Sequence, residues 1–265
     1  MLGAEDRREG HGVGHDAHPG RPQGPGTTRQ AATERQAGTV SVVIPTLNEA
    51  ETIAGVIAEL PHPLVREVIV ADGGSSDTTL AEAAAAGAQV LAAGRGYGRA
   101  CSAGAAAADP ASTILVFLDG DGADRADLMA QLVGPIADGA QDFVLATRTL
   151  GGREAGAMAW HQVLAGRLAG MAMRLLYGVP YTDMCAFRAI RRDALDSLAM
   201  REMGYGWNLE MQMLAARSGL RILEVPLPYR RRAGGQSKVA GSLRGSLRAG
   251  WRISATLLRV ATERR

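Results

Sequence analysis

The chain has 265 residues, of which 46% are hydrophobic and 21% are charged, and its formal net charge is +2. This composition is typical of a globular protein with a sizeable core, and the small net charge gives no support for nucleic acid as a partner. No stretch approaches the 18 uncharged apolar residues of a transmembrane helix. The two cysteines, Cys101 and Cys185, match no metal-ligand or redox spacing, which favours reduced thiols in a cytoplasmic protein.

The first 38 residues differ from the rest of the chain. They are rich in Gly, Pro and His, they show no apolar periodicity, and they lack the apolar centre of a secretory signal. Their three histidines have no companion Cys or carboxylate pattern that would indicate a metal site. The sequence therefore predicts a disordered tail over residues 1–38.

From Val40 onward, short apolar runs alternate with helical patterns. The predicted strands are TVSVVIP, EVIVAD, QVLAAG, STILVFLD and DFVLATR, in that order. Between and after them come the helical segments NEAETIAGVIAELP, with Asn48 as its cap, SSDTTLAEAAAAGA, GYGRACSAGAAAA, and ADLMAQLVGPIADG, which Pro135 is expected to interrupt. Continuous apolar strands that are each followed by a helix predict an α/β fold, with a mostly parallel central sheet and helices on both faces.

The pattern is less regular after Gly151. A long helix is predicted over MAWHQVLAGRLAGMAMRLLYG, and its Met, Leu and Ala stripe is expected to pack in the core. A loop, VPYTDMCAFRAIRR, precedes helices at DALDSLAM and WNLEMQMLAARSG, and an extended segment follows at RILEVPLPYRRR. The last predicted helix places Leu243, Leu247 and Trp251 on one side and Arg244, Arg248 and Arg252 on another. Such a basic amphipathic helix either packs on the domain or lies on an anionic membrane surface.

Polar clusters follow four of the predicted strands, at the edge where ligands bind in parallel sheets. In FLDGDGAD, Asp119 and Asp121 stand one residue apart at the tip of a buried strand. Two carboxylates this close repel each other, whereas a divalent cation would bind both through oxygen. The pair therefore predicts a site for Mg²⁺ or Mn²⁺.

The other clusters indicate a nucleotide. Asp72, in VADGGSSD, ends the second strand and can accept a hydrogen bond from a nucleobase or a ribose hydroxyl, while the glycines after it let the backbone approach a ligand. The segment GRGYGRA is neither a Walker A loop nor a dinucleotide fingerprint. Its arginines, Arg95 and Arg99, instead predict a cationic edge to a nucleotide site.

Seven segments in order carry a family resemblance: VVIPTLNE, VADGGSSD, GRGYGRACSAG, FLDGDGAD, YTDMCAFRAI, YGWNLEMQ and RRRAGGQSKVAG. Over about residues 40–245 the chain resembles family 2 of the inverting nucleotide-sugar glycosyltransferases, and within it the dolichyl- or polyprenyl-phosphate sugar transferases. The resemblance implies a GT-A nucleotide-diphosphosugar transferase domain, which we place at residues 39–241. Residues 242–265 would form the basic amphipathic C-terminal helix.

The resemblance also implies roles on the donor side. Pro45, Leu47 and Glu49 match positions that contact the nucleotide, and Asp72 matches the acid that recognises the base. Asp119 and Asp121 match the pair that holds the metal on the diphosphate. Arg232 and Lys238 match the basic residues of a loop that closes over the phosphates. Family members often carry Gln where Ala123 stands, and Asp124 is a candidate substitute.

On the acceptor side, the resemblance places Arg148 near the acceptor phosphate, with Arg167 as a looser candidate. An acceptor hydroxyl would need a general base, for which Asp183 and Glu210 are the candidates; a lipid phosphate, already anionic, would need none. Either carboxylate could instead be structural, with Asp183 capping a helix or Glu210 pairing with an arginine.

The favoured prediction is therefore a metal-dependent inverting hexosyltransferase with a UDP- or GDP-linked donor and a polyprenyl-phosphate acceptor. Such an enzyme would be cytoplasmic or peripheral at the inner face of the membrane. The first alternative is a soluble transferase that glycosylates a small hydroxylated metabolite. The second is a nucleotide-sugar binding protein without turnover. A nucleotidyltransferase is less favoured, because PTLNEAE lacks the glycine-rich basic loop expected after its first strand.

Overall fold

The computed structural model describes residues 40–234 and 243–263 of the chain. The predicted tail, residues 1–38, and Lys238 lie outside these ranges. The strands are β1 (Val40–Thr46), β2 (Val65–Asp72), β3 (Gln89–Ala92), β4 (Ile114–Phe117), β5 (Phe143–Thr147), β6 (Arg188–Arg191) and β7 (Ile222–Pro226). The helices are α1 (Ile53–Ala58), α2 (Thr79–Ala85), α3 (Tyr97–Ala107), α4 (Ala130–Ala137), α5 (Trp160–Tyr177), α6 (Arg192–Leu198), α7 (Trp207–Arg217) and α8 (Leu243–Thr262).

In the part of the chain that the structure describes, seven strands form one sheet in the order β3-β2-β1-β4-β6-β5-β7. Strand β6 runs antiparallel to β4 and β5, and the other neighbouring strands are parallel. Successive residues of β1 point to opposite faces: Val42 belongs to the core cluster that includes α1, α2 and α4, and Val43 belongs to the cluster that includes α3 and α5 to α8. The predicted mostly parallel sheet with helices on both faces is confirmed.

This topology gathers several loops at one edge of the sheet. The parallel strands β1, β2, β4, β5 and β7 all end there. Because β6 runs the opposite way, the segment that precedes it reaches the same edge. The polar clusters that follow the strands in sequence are thereby brought together in space.

The predicted loop VPYTDMCAFRAIRR is wrong in its last part, which forms β6. The strand begins with Arg188, whose side chain is fully buried. Its guanidinium lies 5.8 Å from the ring centre of Phe143, and its Nη1 donates to the carbonyl of Asn208 (3.1 Å). A four-residue strand that starts and ends with arginine shows no apolar run, so the sequence pattern does not reveal it.

Two details of the predicted helices are also wrong. Helix α1 begins at Ile53 rather than after Asn48, which has a left-handed φ of 54°. Asn48 instead joins two loops, because its amide N donates to the Ser75 hydroxyl and its side-chain oxygen accepts from the Ser76 amide, both at 2.8 Å. Pro135 lies inside α4, which continues to Ala137.

The apolar stripe of α5 is only partly in the core, contrary to the prediction. Ala169 and Met173 are buried, but a second stripe along the same helix is exposed. Its members, at helical spacing, are Trp160, Leu164, Leu168, Met171 and Leu175. Trp160 and Leu175 are 76% and 82% exposed.

Helix α8 packs against α7 and leaves part of its surface uncovered. Thr256 and Val260 are buried, whereas Trp251 and Leu258 are exposed. The side chain of Arg217, on α7, donates to the carbonyls of Val260 and Glu263 at the end of α8 (3.0 and 3.1 Å). No helix within residues 40–234 or 243–263 has the length and apolar character needed to cross a membrane.

Candidate active site

The acidic loop after β4 lies at the centre of the gathered edge. Asp121 is held through both its side chain and its main chain: its Oδ1 accepts from the amide of Ala123 (2.9 Å), and its carbonyl accepts from the amide of Ala233 (3.1 Å). Gly122, between them, has a φ of 73°, and a Cβ there would lie 3.2 Å from the Cβ of Ala233. Only glycine meets both demands without strain.

The carboxylates of this loop sit in an unfavourable electrostatic environment. Burial and the charge of Asp121 raise the pKa of Asp119 to about 6. Burial and the charges of Asp119 and Asp121 raise the pKa of Asp124 to about 8. The crowding of negative charge that the sequence indicated is therefore present, and it favours a bound cation.

A positive side chain already partners the loop. The guanidinium of Arg232 lies 2.7 Å from Asp121 Oδ2 and 3.9 Å from Glu49 Oε1. Its segment is held on the acidic loop by the backbone, since the amide of Arg230 donates to the carbonyl of Ala123 (3.0 Å). Asp121 is almost fully buried. The Arg232 guanidinium therefore occupies the position next to its carboxylate that a cation would take.

The residues present fit a divalent cation that takes some of its ligands from the protein and the others from a bound substrate. Within residues 40–234 and 243–263, no group of three or more Asp, Glu, His or Cys side chains could hold a metal alone. Asp119 and Asp121 would supply two oxygens, and diphosphate and water oxygens would complete the shell, which is the arrangement that Mg²⁺ and Mn²⁺ adopt on nucleotides. Two close carboxylates with Arg232 as the nearby positive charge support that assignment.

The candidate nucleotide residues lie beside this loop, but Asp72 is already engaged. Its carboxylate accepts from the amides of Gly74 and Ser75 at 2.8 Å, from the Ser75 hydroxyl, and from the Thr46 hydroxyl at 3.3 Å. Four donors fill the acceptor capacity of a carboxylate. In this conformation Asp72 therefore shapes the loop after β2 and has no acceptor site left for a base.

Pro45, Leu47 and Glu49 take three different positions. Pro45 is a buried residue of β1 and stands opposite Ala71 of β2. Leu47 is partly exposed and faces Gly73. Glu49 is buried next to Arg232, and its amide donates to the Thr79 hydroxyl (2.9 Å). Leu47 thus lies next to the loop after β2 and Glu49 next to Arg232, while Pro45 belongs to the end of β1.

Arg95 and Arg99 are exposed at the start of α3, next to the loops that carry Asp72 and Asp119. The hydroxyl of Tyr97, from the same turn, is buried, and burial together with the charge of Asp119 raises its pKa. The first turn of α3 therefore lies next to both the acidic loop and the loop after β2, and Arg99 is exposed there.

Arg148 and Asp183, two of the candidates for the acceptor site, form a bidentate ion pair. Arg148 Nε and Nη2 lie 2.7 Å from the two Asp183 oxygens, and the Arg148 amide donates to Oδ2 (2.9 Å). Burial opposes ionisation, but the hydrogen bonds and charge of Arg148 hold the pKa of Asp183 below its ordinary value. The Arg148 guanidinium lies 5.2 Å from the ring centre of Tyr229. Its positive charge lowers the pKa of Asp119 and of Asp124, against the larger effect of burial, so it lies near the acidic loop.

Glu210 is buried on α7 and is paired with α8 and with the segment that precedes α7. Its Oε1 lies 2.8 Å from Arg259 of α8, and its Oε2 accepts from the amides of Arg201 and Glu202 (3.0 and 2.7 Å). These contacts correspond to the structural alternative for Glu210, and both of its carboxylate oxygens already have a partner. Arg167 is exposed on α5, and Lys238 lies outside the described residues.

Sequence reasoning missed Tyr229 as a member of the site. It stands in the segment PLPYRRR, two residues after the buried Leu227, and its pKa is raised by burial and by Asp124. Only its stacking on Arg148, from a distant part of the chain, reveals its place. In the sequence, only the run of arginines that follows Tyr229 could have indicated that this segment belongs to the site.

The chain is similar to known proteins in sequence and in fold. Residues 41–199 match the family model described as glycosyl transferase family 2. An uncharacterized glycosyltransferase of Mycobacterium tuberculosis is 37% identical over 211 residues, which cover 78% of this chain and 93% of the relative. The polyprenol monophosphomannose synthase of Mycolicibacterium smegmatis is 29% identical over 239 residues, covering 84% of this chain and 88% of the relative.

Among solved structures, the chain is similar to glucosyl-3-phosphoglycerate synthase of Mycobacterium tuberculosis. One crystal structure of that enzyme, with Mn²⁺, UDP-glucose and glycerol 3-phosphate, superposes with a TM-score of 0.68 at 26% identity. The match covers 93% of this chain and 87% of that chain.

Proposed function

The chain belongs to glycosyl transferase family 2, and from this premise we propose that it transfers a hexose from a UDP- or GDP-linked sugar to a polyprenyl phosphate. Transfer would invert the anomeric carbon, because the acceptor attacks from the side opposite the leaving diphosphate. The relative from Mycolicibacterium smegmatis, a polyprenol monophosphomannose synthase by name, supports this acceptor class.

The observation that carries the proposal is the state of the two candidate bases. Asp183 is held by Arg148 and Glu210 by Arg259, so neither carboxylate is free to take a proton from a hydroxyl. A phosphate nucleophile is already anionic and needs only positive charge to hold it. Arg148, 19% exposed and stacked on Tyr229, is the candidate for that contact.

The remaining residues would act on the donor. Asp119 and Asp121 would hold the divalent cation, which when bound neutralises charge on the departing diphosphate. Arg232 would leave Asp121 for the phosphates once the donor enters, and Lys238 would join it from the same segment. Glu49 would then orient Arg232, to which it already lies close.

The uncovered faces of α5 and α8 support a lipid acceptor. Helix α5 contains no acidic residue, and its exposed apolar stripe is accompanied by the exposed Arg167 and Arg174. Helix α8 likewise exposes Trp251, Leu258 and Arg252 and has no acid within its bounds. Apolar side chains interleaved with arginines fit an anionic lipid surface, so we propose peripheral attachment at the inner face of the membrane.

A second candidate function is transfer to a small anionic metabolite. The similarity to glucosyl-3-phosphoglycerate synthase over 93% of the chain favours it, because that enzyme was crystallised with glycerol 3-phosphate. In that case Arg148 would bind the acidic group of the metabolite, and the attacking group would be a hydroxyl.

The test is a parallel assay with labelled UDP-glucose and GDP-mannose in the presence of Mn²⁺. One arm supplies undecaprenyl phosphate in detergent and the other supplies 3-phosphoglycerate. Label that enters the organic phase, with equimolar release of nucleoside diphosphate, is the expected result. Label that enters only the water-soluble product would favour the second candidate, and donor binding without nucleotide release would contradict both.

A further inference from the structure

Two buried glutamates lie outside the cleft, between α7, α8 and the loop at residues 199–206. Glu210 accepts from the amides of Arg201 and Glu202 and pairs with Arg259. Glu202 accepts from the amide of Gly204 (2.7 Å) and from the hydroxyl of Thr256 on α8 (3.1 Å). The two carboxylates thus fold the loop and fasten it to the C-terminal helix.

The same loop caps α3. The first amides of a helix have no partner within the helix, and Gly96, at the N-cap of α3, offers no side-chain acceptor. Carbonyls of the loop take that role, since Gly98 N donates to Gly204 O (3.2 Å) and Arg99 N donates to Met203 O (3.0 Å). A Cβ at Gly96 or Gly98 would collide with the loop backbone, so this approach is close and specific.

The capped turn of α3 lies next to two parts of the proposed donor site, which is formed by the loop after β2 and the acidic loop and is called the donor pocket below. Gly94, just before it, lies against Gly73, the residue that follows Asp72. Tyr97, within it, lies in the field of Asp119. A displacement of this turn would therefore change the nucleotide pocket and the surroundings of the acidic loop together.

We propose that α8 holds the donor pocket in shape through Glu210 and Glu202, which act as positioning residues for the first turn of α3. The inference rests on the proposed function in one respect, namely that the ligand of this pocket is a nucleoside diphosphate. It assigns Glu210 to donor affinity and removes it from proton transfer.

The experiment compares Glu210→Gln with a matched control, Asp142→Asn, in the full chain. Asp142 is likewise a buried acid that accepts from a backbone amide and pairs with arginines, but it lies at the opposite edge of the sheet. The readouts are calorimetric affinity for UDP and GDP with Mn²⁺, and hydrogen exchange at the amides of Gly98 and Arg99.

In Glu210→Gln we expect roughly 10-fold weaker nucleoside diphosphate binding, which is about 1.4 kcal/mol, and faster exchange at both amides. The donor KM should rise while kcat at saturating donor and the acceptor KM stay near wild type. Asp142→Asn should change the melting temperature without changing either readout. Arg259→Lys, which keeps the positive charge opposite Glu210, should lose less nucleoside diphosphate affinity than Glu210→Gln.

Unchanged affinity or protected Gly98 and Arg99 amides in Glu210→Gln would overturn the inference while leaving the proposed function intact. A collapse of kcat with unchanged donor affinity would overturn it in favour of proton transfer by Glu210. A wild-type protein that binds neither UDP nor GDP would instead overturn the donor class itself, and the inference with it.

Discussion

At the scale of single residues, the candidate carboxylates differ in how they are held: Asp183 and Glu210 each pair with an arginine from a distant part of the chain. Asp119 and Asp121 stand next to a recognisable buried strand, so local pattern was enough to locate them. Asp183 pairs with Arg148, 35 positions away, and no local pattern encodes that contact. Long-range pairing is what decides whether a carboxylate is free to act as a base.

Replacing Asp121 with Asn should abolish turnover. The variant removes charge from the proposed cation site and from the partner of Arg232, so we expect a loss on the order of 100-fold or more in kcat/KM. Calorimetry should show that Mn²⁺ no longer strengthens nucleotide binding. Asp127→Asn serves as the control. Asp127 is an exposed acid shortly after Asp121 in the chain and pairs with Arg125, so this variant should retain activity. Normal Mn²⁺-dependent activity in Asp121→Asn would rule out this metal site.

Replacing Arg232 with Gln should change two quantities in opposite directions. Without nucleotide, Mn²⁺ should bind several-fold more tightly, because the guanidinium 2.7 Å from Asp121 no longer competes with it. Turnover should nevertheless fall about 10- to 100-fold through loss of positive charge at the diphosphate. The neighbouring exposed Arg231→Gln provides the comparison. Equal Mn²⁺ affinity in wild type and Arg232→Gln would show that the ion pair does not occupy the cation's place.

At the scale of elements, apolar runs predicted β1 to β5, whereas β6 and the start of α1 escaped prediction. Strand β6 is a four-residue strand with Arg188 buried, and α1 starts late because Asn48 is engaged with the loop after β2. Both outcomes depend on contacts between segments far apart in the chain. The paired start of β5 and β7 shows the same dependence, because Asp142 joins Arg191 and Arg221 there.

Asp142 should contribute stability that depends on pH. Hydrogen bonds and charge from Arg221, with Arg191, lower its pKa from 3.8 to about 2, against the effect of burial. A carboxyl whose folded pKa is depressed stabilises the protein above its unfolded pKa, and that stabilisation is lost as the pH falls from about 4 toward 2. Asp142→Asn should therefore cost about 1–2 kcal/mol near neutral pH and much less near pH 2. Urea denaturation at several pH values measures this; a constant difference across the range would contradict the assignment.

At the scale of the whole molecule, the alternation of strands and helices in the sequence predicted the α/β architecture. It did not predict which apolar helix faces are exposed. The sequence shows that α5 and α8 are amphipathic, and it cannot show which apolar face finds a partner. The structure buries one stripe of α5 and exposes another, because α7 covers only one side of it. The exposed stripe is consistent with a surface that works next to lipid.

The double variant Arg167→Gln/Arg174→Gln should weaken attachment to anionic vesicles. Each arginine near such a surface is worth about 1 kcal/mol, so we expect a loss on the order of 10- to 30-fold in vesicle affinity. Arg66→Gln/Arg191→Gln removes the same charge from the opposite edge of the sheet and should bind like wild type. Sedimentation with vesicles of anionic and of zwitterionic lipid measures both. Equal losses in the two double variants would mean that net charge, and not the α5 face, governs attachment.

In the proposed reaction, the anomeric carbon of a nucleotide-linked hexose is transferred to the oxygen of an acceptor phosphate. The most direct measurement is the NMR spectrum, ³¹P and anomeric ¹H, of the product formed with a short-chain polyprenyl phosphate. We predict a new phosphodiester signal and an anomeric configuration opposite to that of the donor. A product with a retained anomer, or a sugar attached to a hydroxyl with the phosphate still a monoester, would contradict the account.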